Sequence, residues 1–152
     1  MPMLIVGADT PAGTALAEAV AGRGEVRVFV SDEATAEALR SADFKVALGD
    51  VSDASHVGGA AIGAFCAVLL AEAAVDDRIR SFASDPSTVI GSWVGAVVEA
   101  GVRRVILVAG ADHEELLALS GPGVETAFVD ARGINAAALA DRVVALDEAR
   151  TL

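Results

Sequence analysis

Tyrosine is absent from this chain, and Lys45 is its only lysine. Any mechanism built on a tyrosine acid whose pKa is lowered by a neighbouring lysine is therefore excluded. Cysteine occurs once, as Cys66, so no internal disulfide forms, and its place in the apolar run Phe65–Leu70 predicts a buried, inert thiol. The two histidines, His56 and His113, stand apart from each other and from Cys66, so no metal-ligand spacing exists and no metal is expected. No apolar run reaches the roughly 18 residues of a membrane span, and Met1-Pro2-Met3 lacks the basic segment of a signal peptide. A cytoplasmic protein is expected. Positive charge is scarce: 11 Lys+Arg against 22 Asp+Glu leave a net charge of -11. Such a chain repels phosphate backbones and anionic lipid, which argues against nucleic-acid and membrane partners. No Lys-Ser/Thr pair follows Gly13, so there is no Walker loop, and there is no Gly-x-Ser-x-Gly elbow.

What is present is apolar. A 54% hydrophobic fraction over 152 residues excludes disorder and suits one domain spanning 1–152. The chain opens on an apolar run, Met3–Val6, that stops at Gly7. A turn of small residues follows, and from Gly13 the pattern is helical. This is a strand–turn–helix unit, whose turn points helix N–H groups at a phosphate in parallel α/β proteins. Strands are expected over 3–6, 26–30, 44–48, 65–70, 104–109 and 124–129. Helices are expected over 12–21, 33–41, from a Ser52 or Asp53 cap to about 62, over 86–100, from an Asp112 cap to 119, and from an Asn135 cap to about 150. Ser31 or Asp32 caps the second helix, and Asp85-Pro86 is a cap followed by Pro at the first helical position. Residues 71–84 lack clear periodicity and read as a short helix or a mobile loop. Strand and helix alternate throughout. Right-handed crossovers then favour an α/β three-layer sandwich, a parallel sheet of about six strands in the order 3-2-1-4-5-6, over the flavodoxin-like order.

Four stretches carry a resemblance to a known family. They are Val6-Gly-Ala-Asp-Thr-Pro-Ala-Gly13, Leu48-Gly-Asp-Val-Ser-Asp53, Asp85-Pro86 through Val108, and Gly123–Val129. In order and spacing they resemble the NmrA-like branch of the atypical short-chain dehydrogenases/reductases. The resemblance implies a Rossmann-like fold and a nicotinamide dinucleotide, NAD or NADP. It places the pyrophosphate over Gly7, Asp9, Thr10, Pro11, Ala12 and Gly13, the ribose by Ser31 and Asp32, the adenine near Asp50 and Val51, and Ala71 beside the cofactor. NADP-binding relatives carry an Arg after strand two; Ser31 stands there, followed by Asp32, so NAD is favoured.

The departures matter as much. Thr10 replaces the middle Gly of the family's first turn, adding a Cβ where the pyrophosphate comes closest, and Pro11 removes an N–H. Thr10 can instead offer its hydroxyl to a phosphate; otherwise the turn serves only helix–strand packing. The family's Tyr-x-x-x-Lys is missing, Ala109-Gly110 stands where a Ser ends strand five, and Asp130-Ala131 replaces Arg-Pro after strand six. The family also continues into a substrate-covering region after strand six, so one wall of the usual pocket is expected to be missing. His113, after strand five, is the one candidate acid or base. Arg78 and Arg80 can reach a phosphate from the 71–84 loop. Val89, Ile90, Trp93, Val94 and Val97 make a broad apolar face on the helix over 86–100, read as a homodimer or partner interface, with Gly91 and Gly95 on another side. Three functions follow. The first is an oxidoreductase-like dinucleotide-binding or redox-sensing module without conventional dehydrogenase chemistry. The second is a non-catalytic interaction or scaffold subunit that has lost the cofactor. The third is a reductase completed by a partner chain.

Overall fold

The computed structural model describes residues 1–152. Its strands are β1 (Met3–Val6), β2 (Val26–Val30), β3 (Lys45–Leu48), β4 (Cys66–Leu70), β5 (Arg104–Ala109) and β6 (Glu125–Asp130). Its α-helices are α1 (Pro11–Val20), α2 (Glu33–Ser41), α3 (Ala54–Ala61), α4 (Glu72–Val75), α5 (Pro86–Glu99) and α6 (Ala136–Glu148), with a 3-10 helix over Ala111–Ser120. All six strands are parallel, in the order β3-β2-β1-β4-β5-β6. That is the order expected from the sequence, and it excludes the flavodoxin-like alternative.

Alternation along the strands divides the core into two layers. Leu4, Val6, Ala67, Leu69, Val105 and Leu107 face α3, α5 and the 3-10 helix. Met3, Ile5, Val28, Val30, Cys66, Val68, Ile106 and Val108 face α1, α2 and α6. Both faces of β1, β4 and β5 are covered, which is why these strands read as unbroken apolar runs. Cys66 is buried as expected, and burial pushes its thiol far above the usual range. Of the paired cap candidates, Asp32 and Asp53 cap α2 and α3, accepting from Thr35 N and Ser55 N; Asp85 and Asn135 cap α5 and α6.

Two expectations need correction. The helix after β5 is a 3-10 helix starting at Ala111, so Asp112 lies inside it and caps nothing; Gly110 precedes it without a side-chain cap. The second concerns the apolar face of α5. Val89, Ile90, Trp93, Val94 and Val97 are all fully buried within the chain's own core. Trp93 Nε1 donates to the Val51 carbonyl at 2.6 Å. This helix lies between the sheet, α3 and the 3-10 helix, so its broad stripe serves three internal neighbours rather than an interface. Gly91 faces Leu119, which a Cβ would approach to 3.3 Å, while Gly95 has open space around it.

Candidate functional site

The C-terminal ends of the strands carry the site, as in other open parallel sheets. At the end of β1 the chain turns at Gly7, whose φ of 90° suits glycine. Gly13 is required by packing: a Cβ there would sit 2.1 Å from the Gly7 carbonyl oxygen. Between them Thr10 is almost fully buried. Its hydroxyl donates to Gly7 O at 2.8 Å and accepts from Gly13 N at 3.0 Å, capping α1. Both functions of the hydroxyl are engaged inside the turn, which leaves no proton on it for a phosphate. Pro11, at the first helical position, has no N–H, so the turn presents few donors to an anion.

Asp9 does not face the helix end. Its Oδ2 accepts from Ser31 N at 2.8 Å and Asp32 N at 3.3 Å, tying the first turn to the end of β2. Asp32 accepts from the Thr35 hydroxyl and N–H at 2.6 and 2.8 Å, and these bonds hold its carboxyl below the ordinary aspartate value. Beyond β3, Asp50 Oδ1 accepts from Ser52 N and Oγ at 2.8 and 2.5 Å. Val51 is buried, and its carbonyl is the acceptor for Trp93. Ala71 is buried at the end of β4, its N–H bonded to Val108 O at 2.9 Å.

Residues 76–84 cross these strand ends as a strap. Arg78 holds Asp76 with two parallel bonds, Nε to Oδ1 at 2.8 Å and Nη2 to Oδ2 at 2.7 Å, and Nη1 reaches Asp9 Oδ1 at 2.8 Å. The side chains of Arg78 and Asp9 are only 12% and 5% exposed. Arg80 Nη2 donates to the Asp76 carbonyl at 2.6 Å and its Nη1 to Ala73 O at 3.1 Å. Further along, Ser81 N donates to Asp50 Oδ2 at 2.7 Å and Phe82 N to Ser52 Oγ at 3.0 Å. The strap therefore bonds to Asp9 and Asp50 directly, and Asp9 occupies the N–H groups of Ser31 and Asp32. The family resemblance assigns Asp9 to the pyrophosphate, Ser31 and Asp32 to the ribose, and Asp50 to the adenine. In this conformation the strap engages Asp9 and Asp50, and a cavity of about 430 Å³ remains between it and the end of β2, lined by Asp9, Ser31, Asp32, Thr35, Asp76 and Arg78.

Sequence reasoning singled out Arg78 and Arg80 but missed Asp76, Ser52, Ser81 and Phe82. The clustered Asp76-Asp77-Arg78 and Arg80 were the available signal; partners so distant in sequence left none. Both arginines are bonded to carboxylates and carbonyls of the chain, and Arg78 also lines the cavity beside Asp9 and Asp32.

On the other side of α1 the sheet edge is open. A cavity of about 450 Å³ lies over the ends of β4, β5 and β6, walled by Leu70, Val108, Ala109, Ile134 and Leu139. No lining residue carries a hydroxyl. His113 is on its wall, largely buried, with Nδ1 lacking any hydrogen-bond partner and Asp112 Oδ1 3.9 Å away. His56 lies elsewhere, exposed and 3.5 Å from Asp53. At the end of β6, Asp130 pairs with Arg132, whose hydrogen bonds lower its carboxyl to about 2. No group of three or more His, Cys, Asp or Glu side chains is placed to hold a metal ion. No helix is long and apolar enough to cross a membrane.

No protein-family model matches the sequence, and no curated protein sequence matches it. Solved structures do share the architecture. ChuY, an anaerobillin reductase from Escherichia coli O157:H7, is 18% identical, with a TM-score of 0.71 over 99% of this chain and 92% of that one. A nucleoside-diphosphate-sugar epimerase from Staphylococcus aureus is 14% identical, with a TM-score of 0.72 over 98% and 67%. The NADPH-dependent quinone oxidoreductase QOR2 of Escherichia coli, complexed with NADPH, is 19% identical, with a TM-score of 0.67 over 83% of this chain. The chain spans 47% of QOR2, about half its length. At these identities the likeness establishes the fold: the chain is a Rossmann-like α/β protein, similar in architecture to these reductases and epimerases.

Proposed function

We propose that this chain is a nicotinamide-dinucleotide-binding module without conventional dehydrogenase chemistry, its adenosine side closed by its own strap. The observation that carries the reading is the bonding of strap residues Arg78 and Ser81 to Asp9 and Asp50. A dinucleotide entering this edge competes with the strap for the same groups. Occupancy is then reported by strap position, which is what a redox-sensing module requires. The likeness to an NADPH-complexed reductase supports the ligand class. The missing tyrosine and the hydroxyl-free cavity wall support the lack of conventional hydride chemistry.

NAD is preferred over NADP in this reading. With Ser31 and Asp32 where NADP-binding relatives carry an Arg, a 2′-phosphate would meet the Asp32 carboxylate, and Asp9 already occupies the N–H groups of Ser31 and Asp32. A cytoplasmic setting belongs to the same reading. The competing reading, an interaction subunit that has lost its cofactor, draws on the engaged Thr10 hydroxyl. Titration calorimetry with NADH, NADPH and ATP separates them, using the wild type and Thr10→Gly. The dinucleotide reading expects weak NADH binding that Thr10→Gly strengthens. No binding of any nucleotide at millimolar concentration by either protein favours the interaction subunit. Tighter NADPH than NADH overturns the assignment of Asp9 and Asp32.

A further inference from the structure

The sheet has two edges, β3 and β6, and they differ. β3 has four residues and displays the exposed Lys45, a residue that discourages strand addition. β6 has six, Glu-Thr-Ala-Phe-Val-Asp, without Pro, Gly or Lys. Its pairing with β5 runs in unbroken register from Arg104↔Glu125 to Ala109↔Asp130, so no bulge turns the edge away. The direction of its backbone groups follows from that ladder. Glu125 N donates to Arg103 O and Ala131 N to Ala109 O. Residues 125, 127, 129 and 131 therefore turn their N–H and C=O groups to β5, and Thr126, Phe128 and Asp130 turn theirs outward. No strand receives these outward groups. The edge is distinct from the stripe of α5, which is buried.

We propose that β6 is an interaction surface for a second copy of this chain, the two strands pairing antiparallel about a two-fold axis through Phe128. The residues opposed select this pairing. Phe128 meets the partner's Phe128, Thr126 meets the partner's Asp130, and Ala127 meets the partner's Val129. Every outward N–H and C=O of both strands is then bonded. Moving the axis by one residue in either direction leaves an outward residue of β6 unmatched within the partner's strand. No carboxylate meets a carboxylate: Glu125 faces the partner's Ala131, and Asp130 faces a threonine hydroxyl that can donate to it. That avoidance matters in a chain of net charge -11. The central pair is aromatic on aromatic, on the face where Phe128 packs against the layer of α3, α5 and the 3-10 helix. The contact is isologous and uses up the β6 edge of both copies, so assembly stops at two.

The experiment is sedimentation equilibrium of the full chain, free of nucleotide, from micromolar to submillimolar concentration. The mass is expected to rise from 15.3 kDa toward twice that value. Thr126→Pro removes an outward N–H and leaves the bonds to β5 intact, so it should abolish the rise. Thr126→Asp sets a carboxylate against the partner's Asp130 twice in each dimer, and should weaken association about three- to thirtyfold. Thr126→Asp combined with Asp130→Thr exchanges the two side chains and should restore association to within about twofold of wild type. Circular dichroism checks folding, and the charge variants keep the test alive if Thr126→Pro does not fold. A 15.3 kDa monomer at the highest concentration overturns the proposal. So does a dimer that persists in folded Thr126→Pro, one indifferent to Thr126→Asp, or one that the exchange of side chains does not restore.

Discussion

Replacing Arg78 by Ala tests whether the strap competes with a dinucleotide, and the size of the effect follows from the geometry. Arg78 makes two kinds of contact. Its bonds to Asp76 are internal to the strap, whereas the 2.8 Å bond to Asp9 joins the strap to the body of the protein. That pair is well screened from solvent, with side chains 12% and 5% exposed, so the small value of a surface ion pair does not apply. Loss of one partner of a deeply buried pair costs about 3–5 kcal/mol. Here Asp9 keeps the N–H groups of Ser31 and Asp32, so its charge is not abandoned. A loss of closure of about 2 kcal/mol is the reasonable figure, near the lower end for a hydrogen bond to a charged group. A ligand that binds only the open form gains that amount, which is up to about 30-fold in apparent affinity. Titration calorimetry of NADH into wild type and Arg78→Ala reads it directly. Ser52→Ala, which removes the acceptor of Phe82 N, gives an independent and smaller gain. If both variants bind NADH within twofold of wild type, the strap does not compete with the dinucleotide and the reasoning is wrong.

Three further outcomes are expected. Gly13→Ala should lower the melting temperature sharply, because its Cβ would lie 2.1 Å from Gly7 O and 2.7 Å from Ala8 Cα, and backbone atoms cannot step aside; the cost is at least the roughly 1–3 kcal/mol of overpacking. Trp93→Phe should destabilise by about 2–3 kcal/mol in denaturant melts, since it strips the Val51 carbonyl of its donor and leaves a void in the core. The strap should also loosen in acid. Burial raises the Asp50 and Asp76 carboxyls, but the hydrogen bonds of Ser52 and Ser81 to the first, and of Arg78 and Arg80 to the second, outweigh it and leave both below the ordinary value. A depressed folded pKa gives stability that is complete above the unfolded value of about 3.9 and is lost as pH falls through the folded one. Limited proteolysis of the 76–84 segment should therefore accelerate below about pH 4 and stay constant from pH 5 to 8.

The fold was legible because its signals are local. Val26–Val30 alternates, Cys66–Leu70 is continuously apolar, and Asp85-Pro86 and Asn135 announce helices within two residues of their starts. Gly7 and Gly13 marked the first turn for the same reason. The rest was not local. A 3-10 helix has no apolar period distinct enough to separate it from an α-helix, so Ala111–Ser120 was read through its acidic start at Asp112. The apolar stripe of α5 could not reveal how many layers would pack on it. The strap was least visible of all. Its order comes from polar bonds across long separations, Arg78 to Asp9 and Ser81 to Asp50, and periodicity does not register such bonds. Likewise Thr10 shows in sequence only that a glycine is missing; that its hydroxyl is consumed by Gly7 and Gly13 is a property of the folded turn.

The central claim is that strap and dinucleotide exclude one another at the ends of β1, β2 and β3. Amide hydrogen exchange at Ser81 and Phe82, whose N–H groups bond to Asp50 and Ser52, measures this most directly. Without nucleotide both amides should be protected relative to the exposed turn at Arg132-Gly133. Saturating NADH should remove that protection while slowing exchange in the first turn of α1. Unprotected Ser81 and Phe82 amides in the free protein, or protection that persists when NADH is bound, would contradict it.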